Sequence, residues 1–238
     1  MEFVGLPGAG KSELSHQVAV LLEAQGLVVS EPMDRLNQLS LTSRTLAKVR
    51  YGIGGAAAAP LTGARWLRIF RRTGQRSLAD TGRVALNWFF LVGLTRGLTR
   101  RPGVHLLDQG IFQGLWSAGY SARDGAVVGR EIDSAVLTAL PPRILVVVVE
   151  TSPATLLRRL HERPGGDSRL ERDLTTSESA GSLTRAMTTF AGLQELLGRL
   201  ERQEAIALMR VQGEHPEQLQ ATAKAVAGRI MSMHSPGA

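Results

Sequence analysis

One octapeptide near the start of the chain limits the fold more than anything else in the sequence. Gly5-Leu6-Pro7-Gly8-Ala9-Gly10-Lys11-Ser12 fits G-x-x-x-x-G-K-[ST], a phosphate-binding loop. Such a loop needs an apolar strand before it and a helix after it. Glu2–Val4 reads as that strand, and Lys11–Gln25 has helical spacing through Leu14, Val18, Leu21 and Leu22. Glycines let backbone N–H groups turn inward on phosphates, and a helix N-terminus adds favourable potential there. Lys11 is placed to reach the β- and γ-phosphates, and the Ser12 hydroxyl to ligate Mg²⁺. The loop is therefore expected to bind a nucleotide and Mg²⁺ through Gly5, Pro7, Gly8, Ala9, Gly10, Lys11, Ser12 and Glu13. Only four residues precede Gly5, which makes a minimal first strand; whether the native chain starts upstream is a question for intact mass.

Further along, strands alternate with helices. Leu27–Ser30 is a short apolar strand, Leu36–Tyr51 is helical, and Gly52–Gly63 reads as an alanine-rich loop. Ala64–Arg76 is a basic amphipathic helix with Arg65, Arg68, Arg71, Arg72 and Arg76. Asp80 or Thr81 caps a long apolar helix that runs to about Thr99. Val104–Leu107 is a buried strand ending at Asp108, and helical sequence follows over Phe112–Leu140. Arg143–Val149 is a continuous β-branched run of the kind buried on both faces of a parallel sheet. Pro153–Arg163 and Leu183–Gln203 are helical, Ala205–Val211 is a last strand, and Pro216–Met231 a closing helix. This alternation predicts an α/β doubly wound parallel sheet of five strands with helices on both faces. One domain spans residues 1–238, with a substrate-side helical insertion over 52–100 and a lid over 158–182.

Composition narrows the function classes. The chain has no cysteine, which rules out disulfides and thiolate metal sites and suits a reducing cytoplasm. Its apolar runs, Val84–Leu94 and Ile144–Val149, fall short of the roughly 20 residues that span a bilayer, so no membrane is expected. The net charge of +7 comes almost entirely from arginine, whose planar fork matches phosphates and carboxylates. No helix-turn-helix, RNA-binding or zinc signature accompanies it, so a small anionic substrate is favoured over nucleic acid. A homodimer is compatible with the sequence.

In an open α/β sheet the chemistry sits beyond the carboxyl ends of the strands. Glu31, followed by Pro32, closes the second strand, where a carboxylate could accept a hydrogen bond from an attacking hydroxyl or hold a Mg²⁺ water. Asp108 closes the third strand, suited to Mg²⁺ binding through water. His105 within that strand reads as a packed core residue, and Gln109, Gln113 and Ser117 follow at one-turn spacings. Arg158 to Arg169 forms a basic helix end running into Pro164-Gly165-Gly166. Phosphoryl transfer spreads negative charge over the γ-phosphate oxygens, so a mobile arginine cluster can clamp it and exclude water. Arg159 and Arg163, four apart, share a helix face, and Arg169 lies across the loop. Arg158 suits a solvated helix end favoured by the macrodipole.

With "GLPGAGKS", "SEP", "LLDQG" and "ETSPATLLRRLHERPGGDSRLERD" in this order, the sequence resembles the nucleoside-monophosphate kinase-like branch of P-loop proteins, thymidylate kinases in particular. The resemblance covers most of the chain and implies a three-layer P-loop NTPase fold, ATP·Mg²⁺ as donor and a lid supplying arginines. Deoxynucleoside kinases also carry a Glu-Pro at the second strand end, where the glutamate serves as base, which implies that role for Glu31. Where these kinases carry Asp-Arg or Glu-Arg after the third strand, this chain has Asp108-Gln109, so the acceptor's own phosphorylation stays open. The leading expectation is an ATP-dependent small-molecule kinase acting on a nucleoside, nucleotide or similar acceptor. Lys11, Glu31, Asp108, Arg159, Arg163 and Arg169 form its catalytic set, and Ser12 and Asp108 its metal ligands. The alternatives are a nucleotide-dependent regulator or partner-stimulated ATPase, and a nucleic-acid binder using the Arg65–Arg76 helix.

Overall fold

The computed structural model describes residues 1–38, 40–57, 60–72, 74–75, 77–123, 136–137, 139–141, 144–162, 168–175 and 179–234. The chain is α/β, mostly helical, and among the described residues every pairing between its strands is parallel. β1 (Glu2–Val4) pairs with β4 (Leu145–Glu150), placing Phe3 opposite Val147, and β4 pairs with β5 (Ala207–Gln212), placing Val147 opposite Met209. β2 (Val29–Ser30) pairs with β3 (Val104–His105). The expectation of one five-stranded sheet is corrected here: the strands form a three-stranded sheet, β1-β4-β5, and a two-stranded sheet, β2-β3. Between them lies one isolated parallel bridge, Glu2 to Leu107, where the Phe3 N–H donates to the Leu107 carbonyl at 2.8 Å and the Leu107 N–H to Met1 at 3.0 Å. The Met1 amino group adds a further bond to this seam, donating to the His105 carbonyl at 2.8 Å.

Helices cover the strands. α1 (Lys11–Ala24) packs against the last helix, α10 (Leu219–His234), and contacts β1 and β2. It buries Leu14, Val18 and Leu22, the stripe its spacing predicts, each worth about 1.5–3 kcal/mol when taken out of water. α6 (Ile111–Ser121) contacts β1 and packs on α9 (Ser179–Arg202), which buries Leu193, Leu196, Leu197 and Leu200. Leu145 to Val149 are all buried, as a β-branched central strand requires. Among the described residues no helix is long and apolar enough to cross a membrane.

Between β2 and β3 lie α2 (Pro32–Asn37), α3 (Leu41–Ala57), α4 (Pro60–Arg72) and α5 (Leu78–Leu98). The single helix expected over Leu36–Tyr51 is in fact α2 and the start of α3. The loop expected over Gly52–Gly63 is largely helical, since α3 runs through Ala57 and α4 begins at Pro60. Gly52 is buried against α5: a Cβ built on it would stand 3.4 Å from a Leu86 methyl and 3.8 Å from the Phe90 backbone nitrogen. Glycine here marks close helix packing, and the following alanines are strong helix formers. α5 is capped by Ser77, not by Asp80 or Thr81: the Ser77 hydroxyl oxygen accepts the Asp80 N–H at 3.0 Å. Trp66 and Phe70 of α4 pack on Trp88 of α5, the two indoles tilted with centroids 4.0 Å apart and Phe70 edge-on to Trp88. The arginines of α4 are therefore left on its outer face.

α7 (Pro153–Glu162) follows β4, and a short helix, α8 (Arg169–Leu174), lies inside the segment expected as a lid. Ser168 and Glu171 close its first turn reciprocally, the side chain of each accepting the other's backbone N–H, at 3.1 Å to Ser168 and 2.7 Å to Glu171.

Candidate functional site

The glycine loop leads from β1 into α1. Gly8 and Gly10 adopt φ of 85° and 90°, a left-handed backbone that ordinary side chains resist. Gly10 is the N-cap of α1 and brings no side chain to its first-turn N–H groups, so an anion can take that place. The Lys11 ammonium folds over the loop and donates to the Gly5 and Leu6 carbonyls, both at 2.9 Å.

Around this loop the structure gathers residues from distant parts of the chain. The Ser12 hydroxyl donates to Asp108 Oδ2 at 2.8 Å across 96 residues of sequence. Glu31 lies on the flank of α1, where it accepts from the Ser15 hydroxyl at 3.0 Å and stands 3.3 Å from His16 Nδ1. Arg159 of α7 donates to the Gly8 carbonyl at 3.3 Å and to the Glu214 carbonyl at 3.1 Å. Four expected residues thus meet at the start of α1: Lys11 and Ser12 on it, with Asp108 and Arg159 against it. Glu31 is one turn further along.

Arg169 is placed elsewhere. Its guanidinium donates to the Ser121 hydroxyl at 2.7 Å and pairs with Asp80 at 3.4 Å, joining α8 to the end of α6 and the start of α5. Ser121 lies about 12 Å along α6 from Gln113, which contacts the loop. The Ser77 hydroxyl, with Arg169 and Arg83 close by, holds the Asp80 carboxyl below its ordinary value. Arg163 lies outside the described residues, and Arg158 is exposed, as a solvated helix end should be.

His105, expected as a packed core residue, is only half-buried, at the edge of the two-stranded sheet. Its Nε2 lies 3.2 Å from the Arg101 carbonyl, which can only accept, so in the neutral ring the proton sits on Nε2 and Nδ1 accepts from Ser30 at 2.7 Å. Gln113 braces the site from beneath: its side-chain oxygen accepts the Gly5 N–H at 3.2 Å.

Sequence reasoning missed three supports of the loop. Glu2 is fully buried at the N-terminus of α6, where it accepts the Gln113 N–H at 2.8 Å. Its other carboxyl oxygen occupies the space that a Cβ on Gly110 would fill and has no hydrogen-bond partner. Burial pushes this carboxyl up to about 8, against the opposing pull of the α6 N–H groups. A charged residue in an otherwise apolar strand was the signal. Glu214, just past β5, accepts from the backbone N–H of Ser152 and, at 2.7 Å, from the Thr155 hydroxyl, which hold its carboxyl below the ordinary value. Gly213 lets that segment approach the loop: a Cβ there would meet the Ala9 carbonyl at 2.5 Å. Glycine directly after a strand was its signal.

ATP and Mg²⁺ fit these residues. The left-handed glycines shape a concave backbone, and a hydroxyl and a carboxylate converge beside it. Among the described residues no three His, Cys, Asp or Glu side chains converge on a metal position. Mg²⁺ in nucleotide sites commonly takes only one or two protein oxygens, with waters and phosphates for the rest. Neither models of known protein families nor curated proteins match this chain.

Proposed function

We propose that this chain is an ATP-dependent phosphotransferase that moves the γ-phosphoryl group to a small acceptor such as a nucleoside or nucleotide. The observation that supports it is the 2.8 Å hydrogen bond between Ser12 and Asp108 beside the glycine loop. It brings a hydroxyl and a carboxylate together where a phosphate-bound cation would need oxygen ligands. On this reading the fold is the nucleoside-monophosphate kinase-like form of the P-loop fold, with its strands divided between two small sheets.

Each residue then has a physical task. The loop and the first turn of α1 hold the phosphates by backbone N–H groups. Lys11 and Arg159 supply positive charge at the loop, where charge develops during transfer. Ser12 and Asp108 would hold Mg²⁺, which when bound neutralises phosphate oxygens and orients them in line. Glu31, steadied by Ser15, accepts a hydrogen bond from the acceptor hydroxyl and takes its proton. Arg169 serves the packing of α8 in this conformation.

The test is ADP release from ATP·Mg²⁺ over a panel of nucleosides, nucleoside monophosphates, sugars and aminoglycosides. Acceptor-dependent release is expected, falling by about a hundredfold or more in Lys11→Ala. ADP release that ignores every acceptor and responds only to a protein or to DNA would refute the kinase and support the regulator.

A further inference from the structure

The positive charge of the molecule is concentrated in one part of the chain. Residues 35–79 hold nine of the 28 basic residues and none of the 21 acidic ones. The remaining 19 basic and 21 acidic residues leave the rest of the chain slightly negative. Within that stretch, α3 and α4 both pack on α5 and both turn a second face outward. On α3, Leu46, Arg50 and Ile53 fall at i, i+4 and i+7 on one stripe, with Leu46 70 % and Ile53 65 % exposed. On α4, Arg65, Arg68, Arg71 and Arg72 are exposed beside Leu67, while Trp66, Ile69 and Phe70 fill the core. Neither face takes part in the proposed phosphotransfer.

We propose that the outer faces of α3 and α4 seat the protein on an anionic lipid surface. The occupant follows from charge and from the aliphatic residues together. Lipid headgroup phosphates match the arginine forks, and the acyl boundary beneath them takes up Leu46 and Ile53. A nucleic acid offers the phosphates but would leave both aliphatic side chains in water. A second copy docked on the same face would set positive charge against positive charge. No helix needs to cross the bilayer for this.

The experiment is co-sedimentation of the full chain with vesicles of phosphatidylcholine alone or with about 30 mol % phosphatidylglycerol. Binding to the anionic vesicles only is expected, and its loss in high salt. Each basic residue near such a surface is worth about a fivefold change in affinity, so Arg68→Glu with Arg71→Glu should weaken binding at least about twenty-fold. Leu46→Ser with Ile53→Ser should weaken it about tenfold or more while the salt dependence stays. Circular dichroism and ATP binding confirm that each variant is folded. The proposal is overturned by absence of binding to anionic vesicles at low salt, or by binding that survives the arginine reversals. It is equally overturned if duplex DNA or polyglutamate binds more tightly than the vesicles and the Leu46/Ile53 variant behaves as wild type.

Discussion

Replacing Glu2 with Gln should flatten the pH dependence of stability. The carboxyl has an ordinary value of 4.5 and is pushed up to about 8 in the fold. Between those values the folded protein keeps a proton that the unfolded chain has released. The stabilisation is therefore complete below about pH 4.5 and is lost as pH rises to about 8. At about 1.4 kcal/mol per pH unit the full window corresponds to at most about 5 kcal/mol, and the range from about pH 5.5 to 8 to roughly 3 kcal/mol. That is a large share of the roughly 5–15 kcal/mol by which domains are stable. Gln keeps an oxygen for the Gln113 N–H and cannot ionise, so the wild-type minus Glu2→Gln difference cancels the histidines and reads this carboxyl together with its coupling to the buried Met1 amino group. Urea titrations of both proteins at several pH values read it directly. Wild type should weaken with rising pH relative to the variant, whose curve should be flatter by that amount. Parallel curves would refute the reasoning, because they would mean that the α6 N–H groups hold Glu2 ionised in the fold.

Gly213→Ala should lower ATP affinity about tenfold and cost about 1–3 kcal/mol, since the added methyl meets the Ala9 carbonyl and the Thr151 hydroxyl, the latter at 2.8 Å; calorimetric ATP titration and urea melts check it. Ser12→Ala and Asp108→Asn should each reduce Mg²⁺-dependent transfer about a hundredfold, and the double variant little further, because the two act as one pair. Arg159→Ala should reduce kcat/KM for ATP by about tenfold or more by removing charge held at Gly8. Arg169→Ala should leave ATP turnover unchanged and loosen α8, seen as faster amide exchange over 169–174; a large fall in kcat would place Arg169 at the phosphates instead.

What could be read from the sequence follows the range of each interaction. The glycine loop, the valine run and the α1 stripe are local patterns, and the structure reproduces them. Asp108 and Glu31 were placed because strand ends in an α/β sheet converge. The Gly52–Gly63 segment misled because glycine and alanine look like a loop until Gly52 is seen to admit α5. The cap fell to Ser77 because two hydroxyl residues and an aspartate compete within one turn, and only backbone direction decides among them. Glu2 and Glu214 escaped notice because their partners lie 55 or more residues away. Arg169 went to Asp80 and Ser121 for the same reason, since a charge count cannot say which carboxylate lies nearest.

The division of the strands into two sheets has a consequence for how the site can move. Three segments that shape the glycine-loop side leave the three-stranded sheet: the loop itself after β1, Thr151 and Ser152 after β4, and Gly213 and Glu214 after β5. Both carboxylates that would serve the metal and the acceptor, Asp108 and Glu31, leave the two-stranded one. On the proposed function, the loop that would hold the phosphates and the carboxylates that would serve the metal and the acceptor therefore ride on separate plates, joined along the strand edges by the bonds of Met1 and Phe3 to His105 and Leu107 and above them by the Ser12–Asp108 bond. A small slip along this seam changes the spacing between the plates while leaving each one intact. Amide exchange at Phe3 and Leu107, whose N–H groups stitch the seam, would report that slip directly.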